Sequence, residues 1–520
     1  MSILNNGEGK LPDQLSSYWL KSTKPPSFPS IENDLQVDVV IVGGGITGIT
    51  TAYLLVKEGF QVAVIEASTI FNGTTGHTTA KVTAQHGLIY DEFIQHFGEE
   101  KARLYYEANK EAAEHIAELI HLHGIDCDFK KEDAYVYTNS NDSIQKLKNE
   151  YEAYKRLGIE GEYVDSLPLD IGNIKGAVVM KNQAQFHPLH YLTQLVDFIK
   201  ESGGEIYEQS VATHMDISEK PIVHLRNGAK ITAQHVISAS HFPFHDNRGY
   251  FARLHPKRSY VVAAKPEKSF PGGMYINAET PTRSIRSVNV EGEEVLLFSG
   301  DGHKTGQGEP EKEHYEALEK FAKDEFGAKE ILYRWSAQDL VTDDKVPYIG
   351  CSNEDDKRVL VATGFRKWGM TTSMVAAQLM KDILIGKANR YKDLFAPSRF
   401  TADPGLKTMV KENVNVATNL ISGKLNRPDK EIKDVKEGEG AVVSIKGGRA
   451  GAFKKMDGQL FIVDTTCTHM GCEINWNSAD QTWDCPCHGS RFSVEGEVIE
   501  GPAERPLKRI DPDSIDYTTS

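Results

Sequence analysis

Four residues near the C-terminal end carry the clearest chemistry. Cys467 and His469 lie in CTHMGC, Cys485 and His488 in CPCHGS, a spacing of C-x-H, fifteen residues, C-x-x-H. Thiolate sulfur and neutral imidazole nitrogen suit soft and borderline metals. The set can therefore hold zinc tetrahedrally, or an iron–sulfur cluster whose two irons take the thiolates and the imidazoles separately. Zinc would make the segment structural, whereas an iron pair would move electrons singly. Two further cysteines, Cys472 and Cys487, stand one in each ligand loop and weigh against zinc.

The pattern resembles the Rieske proteins of the cytochrome bc1 and b6f complexes. That resemblance implies a 2Fe–2S cluster held by Cys467, His469, Cys485 and His488, and a disulfide between Cys472 and Cys487. Imidazoles in place of two thiolates leave the cluster less negative and raise its potential, to between about −150 and +300 mV. Ser490 matches the family serine that donates to a bridging sulfide. Phe492 stands where the respiratory proteins have a tyrosine hydroxyl, so one donor is missing and a mid-range potential is expected.

A second constellation lies near the start. VDVVIV, residues 37 to 42, reads as a buried parallel strand running into GGGITG, with Gly43, Gly45 and Gly48 at G-x-G-x-x-G positions. Ile49, Ala52, Tyr53 and Val56 come next at helical spacing, and a second strand, Phe60 to Ile65, ends at Glu66. Glycines there let the backbone approach a pyrophosphate at a helix N-terminus, and Glu66 accepts from a ribose hydroxyl.

The segment FNGTTGHTTAKVT beyond Glu66, together with RWSAQDLVTDDKVPYIG and VATGFRKWGMTTSMVAAQLMKDILIG, resembles the D-amino-acid oxidase family of FAD enzymes over about residues 36 to 400. The downstream segment reads as a strand, Val359 to Ala362, a loop bearing Gly364, and a helix beginning near Gly369, Met370 and Thr371. In the family that helix end points at the pyrimidine side of the flavin, where its dipole stabilises negative charge. The backbone of Val211 would meet the adenine. GTTGH also resembles the GSTWH of dimethylglycine and sarcosine dehydrogenases, so His77 is a candidate for a covalent bond to the flavin, although Gly76 replaces the tryptophan.

The elements between must position a substrate. Residues 90 to 160 are helical in pattern, and AVVM and SYVVAA suggest an antiparallel sheet between about 160 and 310. Tyr260, His303, Gln338 and Asp339 fall where family substrate-side segments lie, and Tyr260, His303 and Gln338 are taken as catalytic candidates. Arg258 and Arg334 are candidates for gripping a carboxylate. Each has a plain alternative in sheet packing, a solvated turn or an ion pair.

These readings predict an α/β Rossmann-like FAD domain interleaved with an antiparallel-sheet α+β substrate domain, plus a small all-β Rieske domain. The expected limits are an N-terminal extension to residue 35, the flavin unit over 36–400, a linker over 401–430 and the Rieske domain over 431–520. Met409, Val410, Leu420 and Ile421 give the linker a thin apolar stripe on the flavin domain, and a hairpin is expected to turn at Gly447 and Gly448.

A formal charge of −15 disfavours nucleic acid and anionic lipid, and no run of eighteen apolar residues exists to span a membrane. The start has no signal-peptide character, which points to the cytoplasm. With four of six cysteines in the cluster segment, Cys127 and Cys351 read as inert buried thiols. Fusing a two-electron flavin to a one-electron cluster suggests an amine or amino-acid dehydrogenase serving an external electron acceptor, protein or small carrier. Three rivals are an NAD(P)H-driven reductase, a flavin-binding protein with structural zinc, and an oxygenase with iron at His121, His123, Asp126 and Asp128.

Overall fold

The computed structural model describes residues 15–512 except 247, 355, 400–401, 426–427 and 446–447. The first fourteen residues of the extension and Gly447 of the expected turn lie outside the described residues. The run LQVDVVIV forms the strand Leu35–Val42 at the centre of a parallel sheet. Its neighbours are Lys230–Ser238 and Asp356–Thr363 on one side, Val62–Ile65 and Glu205–Tyr207 on the other, with Tyr348–Asn353 antiparallel at one edge. Both faces are covered, which is why the run is continuously apolar. Val39 and Ile41 pack with Ile49 of helix Ile46–Lys57 and Leu379 of helix Gly369–Leu384, while Val40 and Val42 pack with Met215 and Val223 of an antiparallel ribbon.

A nine-stranded sheet forms the second layer. Its order runs Glu330–Thr342, Leu254–Lys265, Glu293–Lys304, Arg283–Val290, Met274–Asn277, Lys130–Thr138, Gly176–Gln185 and Lys81–Val82, with Gly161–Val164 also beside Gly176–Gln185. All pairings are antiparallel except Met274–Asn277 with Lys130–Thr138. Alternation along Leu254–Lys265 sends successive residues to opposite faces. Val261 and Ala263, with Leu297 and Trp335, join the core shared with the nucleotide helices. Tyr260 and Val262 instead pack with Tyr315 and Leu318 of helix Glu311–Phe326. The helical pattern after residue 90 is realised as Tyr90–His123, interrupted at Gly98, and Asn141–Leu157.

The C-terminal part is two four-stranded antiparallel sheets. One holds Gly440–Ile445, Gly448–Lys454, Leu460–Asp464 and Arg509–Ile510; the other holds Asn475–Asn477, Thr482–Asp484, Arg491–Phe492 and Val498–Glu500. The linker forms helix Lys407–Leu425, which touches both units. Asn413 donates to the Ala252 carbonyl at 2.9 Å, whereas Val416 and Leu420 pack against the C-terminal core. Half of the expected apolar stripe faces solvent, with Val410 54% and Ile421 62% exposed. No helix among the described residues is long and apolar enough to cross a membrane.

Candidate functional site

The glycine loop is packed so closely on its neighbours that its positions leave no room for side chains of their own. Gly43 has φ of +116°, and a Cβ there would lie 2.5 Å from the Ala239 carbonyl oxygen. A Cβ on Gly48 would run into the Gly43 carbonyl. Gly45 caps helix Ile46–Lys57 without a side-chain acceptor of its own; the Ile46 amide donates to Thr75 Oγ1 at 3.0 Å, and the N-terminal end of the helix remains at the glycine loop, where an anion is favoured. Glu66 closes the loop: Oε2 accepts from the Gly44 amide at 2.8 Å and Oε1 from the Ser68 amide at 2.9 Å. Burial raises its pKa, against those bonds. These residues fit a dinucleotide, with the bare loop at its pyrophosphate. Beyond the sheet, Val211 accepts from the Arg226 amide at 2.9 Å.

The second wall comes from the downstream segment. Gly364, at φ +76°, packs beside Leu254 and Thr342, and the loop after it leads into the helix at Gly369. Met370 and Thr371 are buried in its first turn, where the Thr371 hydroxyl lies 3.0 Å from Asn109 Oδ1. Sequence reasoning missed a pair here. The His86 ring stacks on Trp368 at 4.7 Å, its Nε2 donates to the Thr83 carbonyl at 2.9 Å, and its Nδ1 accepts from Tyr105 at 2.7 Å. Burial holds His86 neutral. No motif marks such a pair, because the two residues meet only when the layers close.

His77 ends the short helix Thr74–His77. Its Nδ1 donates to the Gly73 carbonyl at 2.8 Å, which leaves the Nε2 lone pair available, and burial lowers its pKa. Its carbonyl accepts from Trp335 Nε1 at 2.9 Å.

Tyr260 and His303 are brought together, the hydroxyl 2.8 Å from Nε2, and both rings stack with His314. They lie on the sheet face turned to helix Glu311–Phe326, away from the glycine loop. Gln338 accepts from Thr305 at 2.7 Å and donates to the Gly489 carbonyl at 2.9 Å, so it joins the two units. Arg258 is held by Asp480, and Arg334 by Glu319 at 2.5 Å. Asp339 is buried, which pushes its carboxyl up to about 7. The alternative iron set is not gathered: among the described residues, His121, His123, Asp126 and Asp128 bring no three ligand atoms within 4.8 Å of one another. Cys127 and Cys351 are buried thiols.

The two cluster loops are near copies. In each, the amide of a glycine four residues on donates back to the ligand cysteine's carbonyl: Gly471 to Cys467 at 2.9 Å and Gly489 to Cys485 at 3.1 Å. Both glycines have left-handed backbone, φ +76° and +77°. Cys467 and Cys485 share a sulfur–sulfur hydrogen bond, and Ser490 reaches Cys467. The His469 and His488 rings lie 5.0 Å apart at 88°. His488 Nδ1 is buried without a hydrogen-bond partner among the described residues, and burial holds that imidazole down at about 4. A neutral ring with an orphaned nitrogen, beside two adjoining thiols and a second ring, fits a two-thiolate, two-imidazole cluster. Cys472 and Cys487 form the expected disulfide, both at most 4% exposed. Phe492 is fully buried.

The imidazole edge is turned inward. Phe251, in the short helix Tyr250–Ala252 that leads into strand Leu254–Lys265, meets His469 at 5.7 Å and His488 at 5.5 Å, edge-on to both. Phe251 packs on the cluster of Leu254 and Leu340, and Leu254 in turn flanks Gly364, at the start of the loop leading into helix Gly369–Leu384. The seam is held by charge. Asp480 accepts from Arg258 Nη2 at 2.7 Å, Ser336 at 2.7 Å and Arg491 at 3.1 Å, with Arg258 only 2% exposed. Gln307 and Asn475 add bonds to Pro486 and Gly306.

Known proteins agree with this geometry. The family model for FAD dependent oxidoreductases (DAO) matches residues 38–383, and that for the Rieske [2Fe-2S] domain matches 427–511. The chain is 52% identical over 498 residues to the putative Rieske 2Fe-2S iron-sulfur protein YhfW of Bacillus subtilis strain 168, covering 96% of this chain and 98% of the relative. It is 25% identical to gamma-glutamylputrescine oxidoreductase of Escherichia coli K12, over 76% of this chain and 95% of that one. Among solved structures, glycine oxidase from Geobacillus kaustophilus superposes with a TM-score of 0.61 at 18% identity, over 70% of this chain and 99% of that one. The bare glycine loop and the paired ligand loops thus have their counterparts in sequence: the chain belongs to the DAO family of FAD-dependent oxidoreductases, with FAD and a Rieske 2Fe–2S cluster as its cofactors.

Proposed function

We propose that the protein oxidises an amine or an amino acid, N-alkylated amino acids included, and that the electrons leave singly through the cluster to an external acceptor in the cytoplasm. The observation that carries this reading is Phe251, packed at once against both imidazole ligands and against the sheet core that reaches Gly364. When bound, FAD supplies a two-electron hydride acceptor and the cluster a one-electron carrier. The chain's own part is electrostatic and steric. The N-terminus of helix Gly369–Leu384 directs amides at negative charge that develops on reduction. The neutral His86–Trp368 stack and the fully buried Tyr105 keep that wall dry. The imine product leaves the protein to be hydrolysed by water.

The test is low-temperature EPR of protein mixed without oxygen with a panel of amino acids and methylated amines. A Rieske signal appearing with one amine supports the reading. Flavin bleaching without that signal, in protein shown by dithionite to hold a cluster, refutes the electron path.

A further inference from the structure

Outside the cluster loops, one more set of ligand-type side chains converges among the described residues, on the antiparallel ribbon that covers one face of the parallel sheet. Its strands are Ala212–Asp216 and Ile222–Leu225. Met215 and Val223 pair in register and pack inward with Val40 and Val42. Alternation then sends His214, Asp216 and His224 to the outer face, with His214 directly opposite His224. The two imidazole rings stack at 4.0 Å and 9°, and His224 Nε2 donates to Asp216 Oδ2 at 2.8 Å. One ligand atom from each of the three residues lies within 4.8 Å of the other two.

An ion pair does not account for the set. Asp216 and His224 complete such a pair without His214, whose ring is exposed and gains little from packing. The state of that ring is fixed by its neighbour. Thr213 donates its hydroxyl hydrogen to the His224 carbonyl at 3.1 Å, so it must accept from His214 Nδ1 at 3.2 Å. Nε2 of His214 is thereby left with a bare lone pair, and a hydrogen bond from the other ring nitrogen is how metal-holding imidazoles are oriented. On His224 a cation would take the place of the hydrogen shared with Asp216, that hydrogen passing to Nδ1 so that the ring stays neutral. Lys230, opposite His224 on the next strand, is exposed, and the ion-pair partner of Asp216 is His224.

Two imidazoles and a carboxylate suit zinc and its borderline neighbours, and they suit magnesium poorly, because it asks for an octahedron of oxygens. Three protein ligands leave a further position for water. The ribbon also touches the iron–sulfur unit. Arg226, just past its second strand, donates from Nη2 to the Glu504 carbonyl at 3.3 Å, and the neighbouring Arg505 carbonyl accepts from Thr468, between Cys467 and His469.

We propose that His214, Asp216 and His224 bind a divalent cation of the zinc type, which staples the two strands of the ribbon. The site is independent of the oxidation proposed above.

The test uses the full-length protein loaded with FAD and cluster, so that the cluster cysteines and histidines are occupied, after chelator treatment and gel filtration. Calorimetric titration with zinc should show binding that excess magnesium does not displace. His214→Ala and Asp216→Asn should each weaken zinc at least about tenfold. Asp216→Asn keeps an acceptor for His224, which separates loss of ligation from loss of the hydrogen bond. Zinc should raise the unfolding temperature of the native protein and not that of His214→Ala/His224→Ala, with flavin and cluster spectra unchanged in all variants before heating. No zinc binding, an affinity unchanged in His214→Ala, or displacement by magnesium would overturn the site. A rise in unfolding temperature that persists in the double variant would overturn the staple.

Discussion

Asp480→Ala removes the acceptor on which the seam converges, and the structure says which partner suffers. Arg491 keeps Asp484 at 3.1 Å and Glu500 at 3.6 Å. Arg258 keeps only the Ser336 hydroxyl, and its Nη1 already lacks a partner among the described residues. The variant thus leaves one buried guanidinium without a paired carboxylate, Asp484 and Glu500 acting on it only through space, an effect worth about 3 kcal/mol. An exposed pair would lose less than about 1 kcal/mol. Removing both charges in Asp480→Ala/Arg258→Met should recover most of the loss. Burial opposes ionisation of Asp480, but Arg258 and Arg491 outweigh it and hold its pKa below the usual carboxylate range. A depressed acid stabilises fully above its unfolded pKa, about 4, and that contribution fades as pH falls through the lower folded value. Urea unfolding followed by the visible circular dichroism of the cluster measures all of this. A loss under about 1 kcal/mol, or a double variant no more stable than the single one, would refute the argument.

Phe251→Ala should leave substrate bleaching of the flavin intact and slow cluster reduction, read by stopped flow at the two chromophores; equal cluster rates would remove Phe251 from the path. Ser490→Ala should lower the cluster potential and Phe492→Tyr raise it, each by about 60 mV for about 1.4 kcal/mol of hydrogen bonding to sulfur, checked by redox titration. A covalent bond at His77, whose Nδ1 is taken by the Gly73 carbonyl, would retain flavin in the acid-precipitated protein, and His77→Ala would then release it to the supernatant; flavin released from the unaltered protein excludes the bond.

The cofactor loops were legible because each demands residue types that nothing else would place there. Gly43 and Gly48 admit no Cβ, and Cys467, His469, Cys485 and His488 must be thiol and imidazole. The strands around them were readable from continuous apolar runs buried on both sides. The substrate side was hard to read for a geometric reason. Alternation places Tyr260 opposite Ser259, but which face sees the flavin depends on how the sheet packs. The seam was invisible because Arg258 and Asp480 are 222 residues apart and each reads as an ordinary surface charge. His86 and Trp368 were hidden likewise.

The alternation along Leu254–Lys265 also bears on how such a protein can diverge. Substitutions at 257 or 259 alter the opposite face of the strand, whereas those at 256, 258 or 260 alter the wall shared with the iron–sulfur unit. One face of this strand can therefore change, residue by odd-numbered residue, while the joint to the iron–sulfur unit on the other stays as it was.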